Sequence, residues 1–295
     1  MQRVEQEIAR LVDEVGFDEA KELFSKLSGG KRLRAKLILK IAKTDPKAPL
    51  LAAIVELIHA ASLLHDDVID DAMSRRGEVS VNATEGSKVA IMLGDILYSK
   101  AYSELVGFDK NIAKTISSSV TSLSIGEMMD VAMGKEFNKD EQKYLKMLYL
   151  KTSALIEAAA AAAAMLEGYE PQKYAIYGKN LGLSFQIIDD ILDITSDEQT
   201  LGKPALNDFV EGKATLPYIY LYHDLDKDEK ERLLSLHLKK PSKDEELWLR
   251  ESFTKHKSIE RSFEVAKKLS YEAAEAIKGD IELESILNTM IKRSY

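Results

Sequence analysis

The 295-residue chain contains no cysteine, which excludes disulfides, thiolate-bound metals and cysteine nucleophiles and fits a reducing cytoplasm. It has only six prolines, at 46, 49, 171, 204, 217 and 241, and most fall between long segments whose apolar residues recur every three or four positions. Strand-like alternation is nearly absent. Positive charge is not in excess: 41 basic against 49 acidic residues give a formal charge of -8, which argues against a dedicated nucleic-acid binder and confines any anion site to a local cluster. No apolar run reaches the roughly 20 residues that span a bilayer. The longest, "AAAAAAAML" at 158 to 166, is mostly alanine. The N-terminal "MQRVEQEIARLVDEV" scatters acids and bases through an apolar periodicity, so it reads as an amphipathic helix and not as a signal peptide. A soluble protein is the expectation.

What the chain does have is helical periodicity. It predicts helices near 2 to 15, 18 to 27, 30 to 44, 50 to 71, 86 to 106, 111 to 134, 140 to 167, 171 to 196, 207 to 224, 227 to 237, 243 to 255 and 258 to 293, the last broken near Gly279. No Gly/Ser-rich or Pro-rich linker divides them, so residues 1–295 read as a single all-α domain. Short-period repeats are missing, but one pattern occurs twice. "DDVID" at 66 to 70 and "DDILD" at 189 to 193 share the form D-D-x-x-D, each toward the end of an apolar helical segment. The long separation lets the chain run away and return, so that two helices can present the motifs across a shared cavity.

On a helix Asp66 and Asp70 lie on one face, and Asp189 and Asp193 repeat that geometry, with Asp67 and Asp190 about 100° around. Clustered carboxylates repel one another unless a cation compensates, and oxygen ligands without His or Cys favour Mg²⁺. Magnesium takes its ligands from one or two carboxylates, water and substrate phosphates, so the motifs suggest a metal-phosphate site. Leu63, Leu64, Phe185, Ile187 and Ile188 flank them as candidate cavity walls, or as ordinary core. The basic complement is at hand. "GGKRLR" at 29 to 34 places Lys31, Arg32 and Arg34 at a helix start, and Arg75 and Arg76 follow the first acidic motif. Lys151, Lys203 and Lys213 stand in "YLKTSAL", "TLGKPALND" and "VEGKATLP"; each alone reads as surface, while together they supply the positive charge that a departing diphosphate requires.

These motifs, in this order, resemble those of the trans-isoprenyl diphosphate synthases, the head-to-tail prenyltransferases, over nearly the whole chain. The resemblance implies the isoprenoid synthase fold, a bundle of long helices around a deep central cavity, in a homodimer. It implies that Asp66, Asp67, Asp70, Asp189, Asp190 and Asp193 hold three Mg²⁺ ions on an allylic diphosphate, with Arg75, Lys151, Lys203 and Lys213 on the same side. Lys31, Arg34, His59 and Arg76 match the positions that hold isopentenyl diphosphate. Thr152 and Gln186 match positions beside the allylic cation. The implied reaction ionises the allylic diphosphate, joins isopentenyl diphosphate to its C1 in a 1'-4 condensation and loses a proton; no protein nucleophile is needed. Two departures stand out: Ala35 where the family often has proline, and "GEMMD", with Glu127 where the family often has glutamine. Asp71 lies outside the family's metal pattern.

In this family a bulky residue one turn before the first motif stops chain growth. Here Ala61 and Ser62 are both small, so no floor is expected at that level. A helix rises about 1.5 Å per residue, so each added isoprene unit of roughly 5 Å reaches about one turn further down. A C30–C40 product of the quinone side-chain kind is therefore expected, released toward a membrane, with farnesyl or geranylgeranyl diphosphate as primer. A C20 geranylgeranyl synthase is the alternative, its floor set by another helix through Met92, Ile96 or Leu123. The alanine run at 158 to 164 either widens that tunnel or packs helices closely. A terpene cyclase would lack the second aspartate motif, and a noncatalytic subunit of a heteromeric synthase would have lost acids or bases that are present here.

Overall fold

A computed structural model describes residues 1–27, 30, 32–75, 77–195 and 206–291. The helices run in the order α1 (Gln2–Asp13), α2 (Asp18–Lys26), α3 (Leu33–Ile41), α4 (Ala48–Ile69), α5 (Val81–Glu85), α6 (Ser87–Leu105), α7 (Lys110–Met133), α8 (Glu141–Leu148), α9 (Ala154–Glu167) and α10 (Pro171–Thr195). They continue as α11 (Asn207–Val210), α12 (Leu216–Asp224), α13 (Lys227–Leu236), α14 (Lys243–His256), α15 (Ser258–Ala276) and α16 (Ile281–Ile291). A two-stranded antiparallel hairpin, β1 (Ser74–Arg75) and β2 (Glu78–Val79), follows α4. The fold is all-α, as the periodicity predicts. Contacts divide the chain into two compact units, Met1–Leu123 with Leu155–Gly178, and Ser124–Ala154 with Lys179–Tyr295.

The first unit is organised by α4, which packs on α1, α3 and α6. From Leu51 to Ile58 it is apolar on every side apart from Glu56, and every residue there is buried, as expected of a helix with no solvent face. By length and composition α4 could cross a membrane; with 67% of its apolar window buried it serves here as a core helix. Pro49 starts it where a missing N–H costs nothing. Its other end is a Schellman turn: Asp71 adopts φ 50°, its N–H reaches the Val68 carbonyl at 3.4 Å, and the Ala72 N–H reaches the Asp67 carbonyl at 2.8 Å. Asp71, outside the metal pattern, thus has a local role as the left-handed residue that ends the helix. The alanines 158–164 are all buried, and Gly178 on α10 approaches the Ile156–Ala160 backbone too closely for a side chain. Close packing is the reading of the run that the structure supports.

The second unit is built around α12, which packs on α8, α14 and α15. Phe209 stacks on Tyr218 at 4.3 Å, Tyr218 meets Phe253 edge-on at 5.0 Å, and Phe137 and His237 close the cluster. Reciprocal capping boxes, Asp226 with Glu229 and Ser242 with Glu245, start α13 and α14. Two predicted helices are broken. The segment 207 to 224 splits where Gly212 takes φ 87° and Pro217 starts α12. The segment 140 to 167 is interrupted by a π turn, Tyr149–Ser153.

Candidate active site

The two aspartate motifs are each half exposed and half built in. In the first unit Asp70 is exposed at the end of α4 and Asp66 is partly accessible, whereas Asp67 is 4% exposed. Asp67 Oδ1 accepts from Arg75 Nε at 2.7 Å and NH2 at 2.6 Å, which fixes the start of the hairpin, and the Asp67 carbonyl accepts from Asn82 Nδ2. In the second unit Asp189 is exposed, while Asp190 and Asp193 are 4% and 1% exposed. Asp193 Oδ2 accepts from the Asp208 N–H at 3.1 Å and its carbonyl from the Leu206 N–H at 2.9 Å, so Asp193 anchors the returning chain. Asp190 takes the Tyr144 hydroxyl on one oxygen and Gln186 Nε2 at 3.0 Å on the other. Burial, reinforced by the nearby Asp208 charge, pushes the Asp190 carboxyl well above its usual range; the bonds from Gln186 and Tyr144 oppose that shift.

Thr152 Oγ1 donates to Gln186 Oε1 at 3.2 Å, so Thr152, Gln186, Asp190 and Tyr144 form one hydrogen-bonded line. The π turn aims it. π turns hold an extra residue and re-aim side chains, which is why they recur at functional sites. Two glycines let other helices close on this one: a methyl group on Gly126 would overlap the Lys151 amide, and one on Gly182 would overlap Ser153. Gly126 thereby brings its neighbours Glu127 and Asp130 to Lys151, whose Nζ lies 2.9 Å from Glu127 Oε2 and 2.6 Å from Asp130 Oδ2. Burial disfavours the Lys151 charge, but the two carboxylates outweigh it and raise its pKa. Lys151, Thr152, Gln186, Asp190, Asp130 and Lys213 line a cavity of about 120 Å³ within this unit. Lys213 also pairs with Glu211 at 2.7 Å.

The GGKRLR turn is partly structural. Arg32 adopts φ 49°, and its guanidinium reaches Glu5 at 3.1 Å and the buried Glu56 at 3.3 Å. Glu56 Oε1 accepts the Ala35 N–H at 3.0 Å. A proline at 35 has no N–H to give, so the departure at Ala35 comes with a buried acceptor that uses it. Arg34 and His59 are partly buried. Lys31, Arg76 and Lys203 lie outside the described residues. Ala61 is fully buried, whereas Ser62 is partly accessible on the face of Asp66 and donates to the His59 carbonyl at 2.9 Å. Of the alternative floor residues, Met92 is exposed, Ile96 partly buried and Leu123 buried.

Among the described residues no three His, Asp or Glu side chains gather into a preformed metal cage. Magnesium does not need one, since it draws on one or two carboxylates together with phosphate oxygens and water. The accessible Asp66, Asp70 and Asp189 fit that demand. Sequence reasoning missed Tyr144, Asp130 and Glu56. On an unbroken helix Tyr144, seven residues before Lys151, would share nearly its face, but a buried tyrosine on an apolar helix carries no distinctive pattern.

Fold and motifs together define an all-helical synthase of the isoprenoid fold. The chain belongs to the polyprenyl synthetase family, whose model matches residues 18–252, and is a trans-prenyl diphosphate synthase, a transferase of isoprenoid biosynthesis. The octaprenyl pyrophosphate synthase of Helicobacter pylori has a similar structure, with TM-score 0.94 and 43% identity over 99% of this chain and 98% of that one. A polyprenyl synthase from Caulobacter crescentus, complexed with calcium and isoprenyl diphosphate, superposes with TM-score 0.85 and 28% identity over 99% of this chain and 94% of that one. A short chain isoprenyl diphosphate synthase of Methanothermobacter thermautotrophicus is 36% identical over 80% of this chain and 75% of its own.

Proposed function

We propose that the enzyme extends farnesyl or geranylgeranyl diphosphate with isopentenyl diphosphate units to a C30–C40 all-trans product for a quinone side chain. One observation carries the chemistry: each aspartate motif keeps carboxylates accessible at Asp66, Asp70 and Asp189 while its inner members are tied into the protein. Bound Mg²⁺, three ions per site, would stabilise the charge of the departing diphosphate. Asp66, Asp70 and Asp189 hold the metal, and Asp67, Asp190 and Asp193 keep the motifs rigid. Lys151, Lys213, Lys203 and Arg75 add positive charge on the diphosphate side. The allylic C1–O bond breaks, the isopentenyl double bond attacks C1, and a proton leaves to the released diphosphate. Thr152 and Gln186 turn oxygens toward the transient cation. Partly buried Leu63 and Phe185 help to exclude water. Lys31, Arg34, His59 and Arg76 take isopentenyl diphosphate.

The small Ser62 below Asp66 and the likeness to an octaprenyl synthase support the long product. The archaeal short-chain relative favours the second reading, a C20 product. The enzyme works in the cytoplasm as a homodimer, and exposed apolar residues on one face of α7, Ile125, Met128 and Val131, support an association surface. It needs no nucleic acid, and its apolar product passes to a membrane.

Labelled isopentenyl diphosphate, Mg²⁺ and farnesyl diphosphate should give a product ladder ending at C30 to C40 after dephosphorylation and chromatography. A stop at C20 selects the second reading. No elongation from any primer would sink both and leave a noncatalytic partner subunit.

A further inference from the structure

Lys151 has more negative charge around it than it needs. Its ammonium carries three N–H donors, of which two are engaged by Glu127 and Asp130, and the three side chains together sum to one negative charge. Glu127 is buried, does not line the cavity, and has its second oxygen, Oε1, enclosed without a hydrogen-bond partner. A buried carboxylate left half satisfied is costly, and Lys151 is the cation that the structure shows holding it. Asp130 alone, at 2.6 Å and lining the cavity, would suffice to orient the lysine. The second acid therefore adds charge where orientation is already provided.

We infer that Glu127 is a positioning residue that holds Lys151 back and weakens its grip on diphosphate, so that bound diphosphates leave faster. The inference rests on the reading of Lys151 as a diphosphate ligand. A negative charge within ion-pair distance of the ligating ammonium opposes an approaching anion, and in a partly dehydrated cavity that opposition is poorly screened. An enzyme that must release inorganic diphosphate at every elongation step gains turnover from a looser hold.

The test compares the full-length chain with Glu127→Gln, which keeps shape and removes the charge. Titration calorimetry with inorganic diphosphate and Mg²⁺ should show Kd falling about 3- to 10-fold, and the KM for farnesyl diphosphate should fall in step, with kcat no higher than in the parent. The KM for isopentenyl diphosphate should stay within about twofold of the parent. A merely structural glutamate would give the opposite sign, weaker diphosphate binding, and that result or an unchanged Kd overturns the inference. Should E127Q fail to fold by circular dichroism, Glu127→Met deletes the same charge at similar length and must also tighten binding, while Glu127→Asp must not. If the parent binds diphosphate but elongates no primer, the proposed function falls, and the Kd comparison still decides the role of Glu127.

Discussion

Ser62 stands one helical turn before Asp66 and remains partly accessible, while its neighbour Ala61 is sealed in the core. The two small residues are therefore not equivalent: of the two, only Ser62 is open to a growing chain in the proposed reading. Ser62→Phe should shorten the longest product to C20 or less without abolishing condensation, read from the chromatographic ladder. An unchanged ladder would move the length determinant elsewhere, whereas Ala61→Phe should fail through overpacking, at about 1–3 kcal/mol of stability. At this scale the sequence offered the acids and bases of a candidate site but not their division of labour. Asp66 and Asp67 look alike on paper; burial and Arg75 separate them. Arg32, which reads as an anion ligand in GGKRLR, turns instead toward Glu5 and Glu56. Such pairings join residues distant in the chain, and no local spacing announces them.

Helices were the most legible elements, because α4, α6 and α7 are long and their periodicity is unbroken. α4 was expected at 50 to 71 and spans Ala48–Ile69, its end set by the left-handed Asp71. The π turn was not legible, since one extra residue in 149–153 leaves composition and periodicity almost unchanged. Its supports were also hidden: Gly126 and Gly182 matter through what approaches them. Gly126→Ala should push α7 off the π turn, costing about 1–3 kcal/mol in denaturant unfolding. A shift of that size at Lys151 should lower kcat by about tenfold or more with helicity retained. Full activity in G126A would mean that the close approach has no part in aiming Lys151.

At the scale of the molecule, the all-α class was legible from sparse proline and missing strand alternation, while the proposed association draws on surface that only the structure displays. Met128 on α7 is 74% exposed, and Ile125 and Val131 share its helix face. Met128→Glu should therefore shift the proposed homodimer toward monomer in sedimentation velocity, at unchanged melting of the isolated fold; a monomeric parent would remove the dimer from the account. The π turn has a bearing on insertions and deletions as well. A chain that lost one residue between Tyr149 and Ser153 would relax to ordinary winding, leaving the flanking helices nearly in register but re-aiming the side chains inside the turn, Lys151 and Thr152 among them. Thr152 would then leave Gln186, and Lys151 its two carboxylates, without any remaining side chain having changed identity. In this stretch the count of residues is itself constrained, and a one-residue indel is a more severe change than most substitutions.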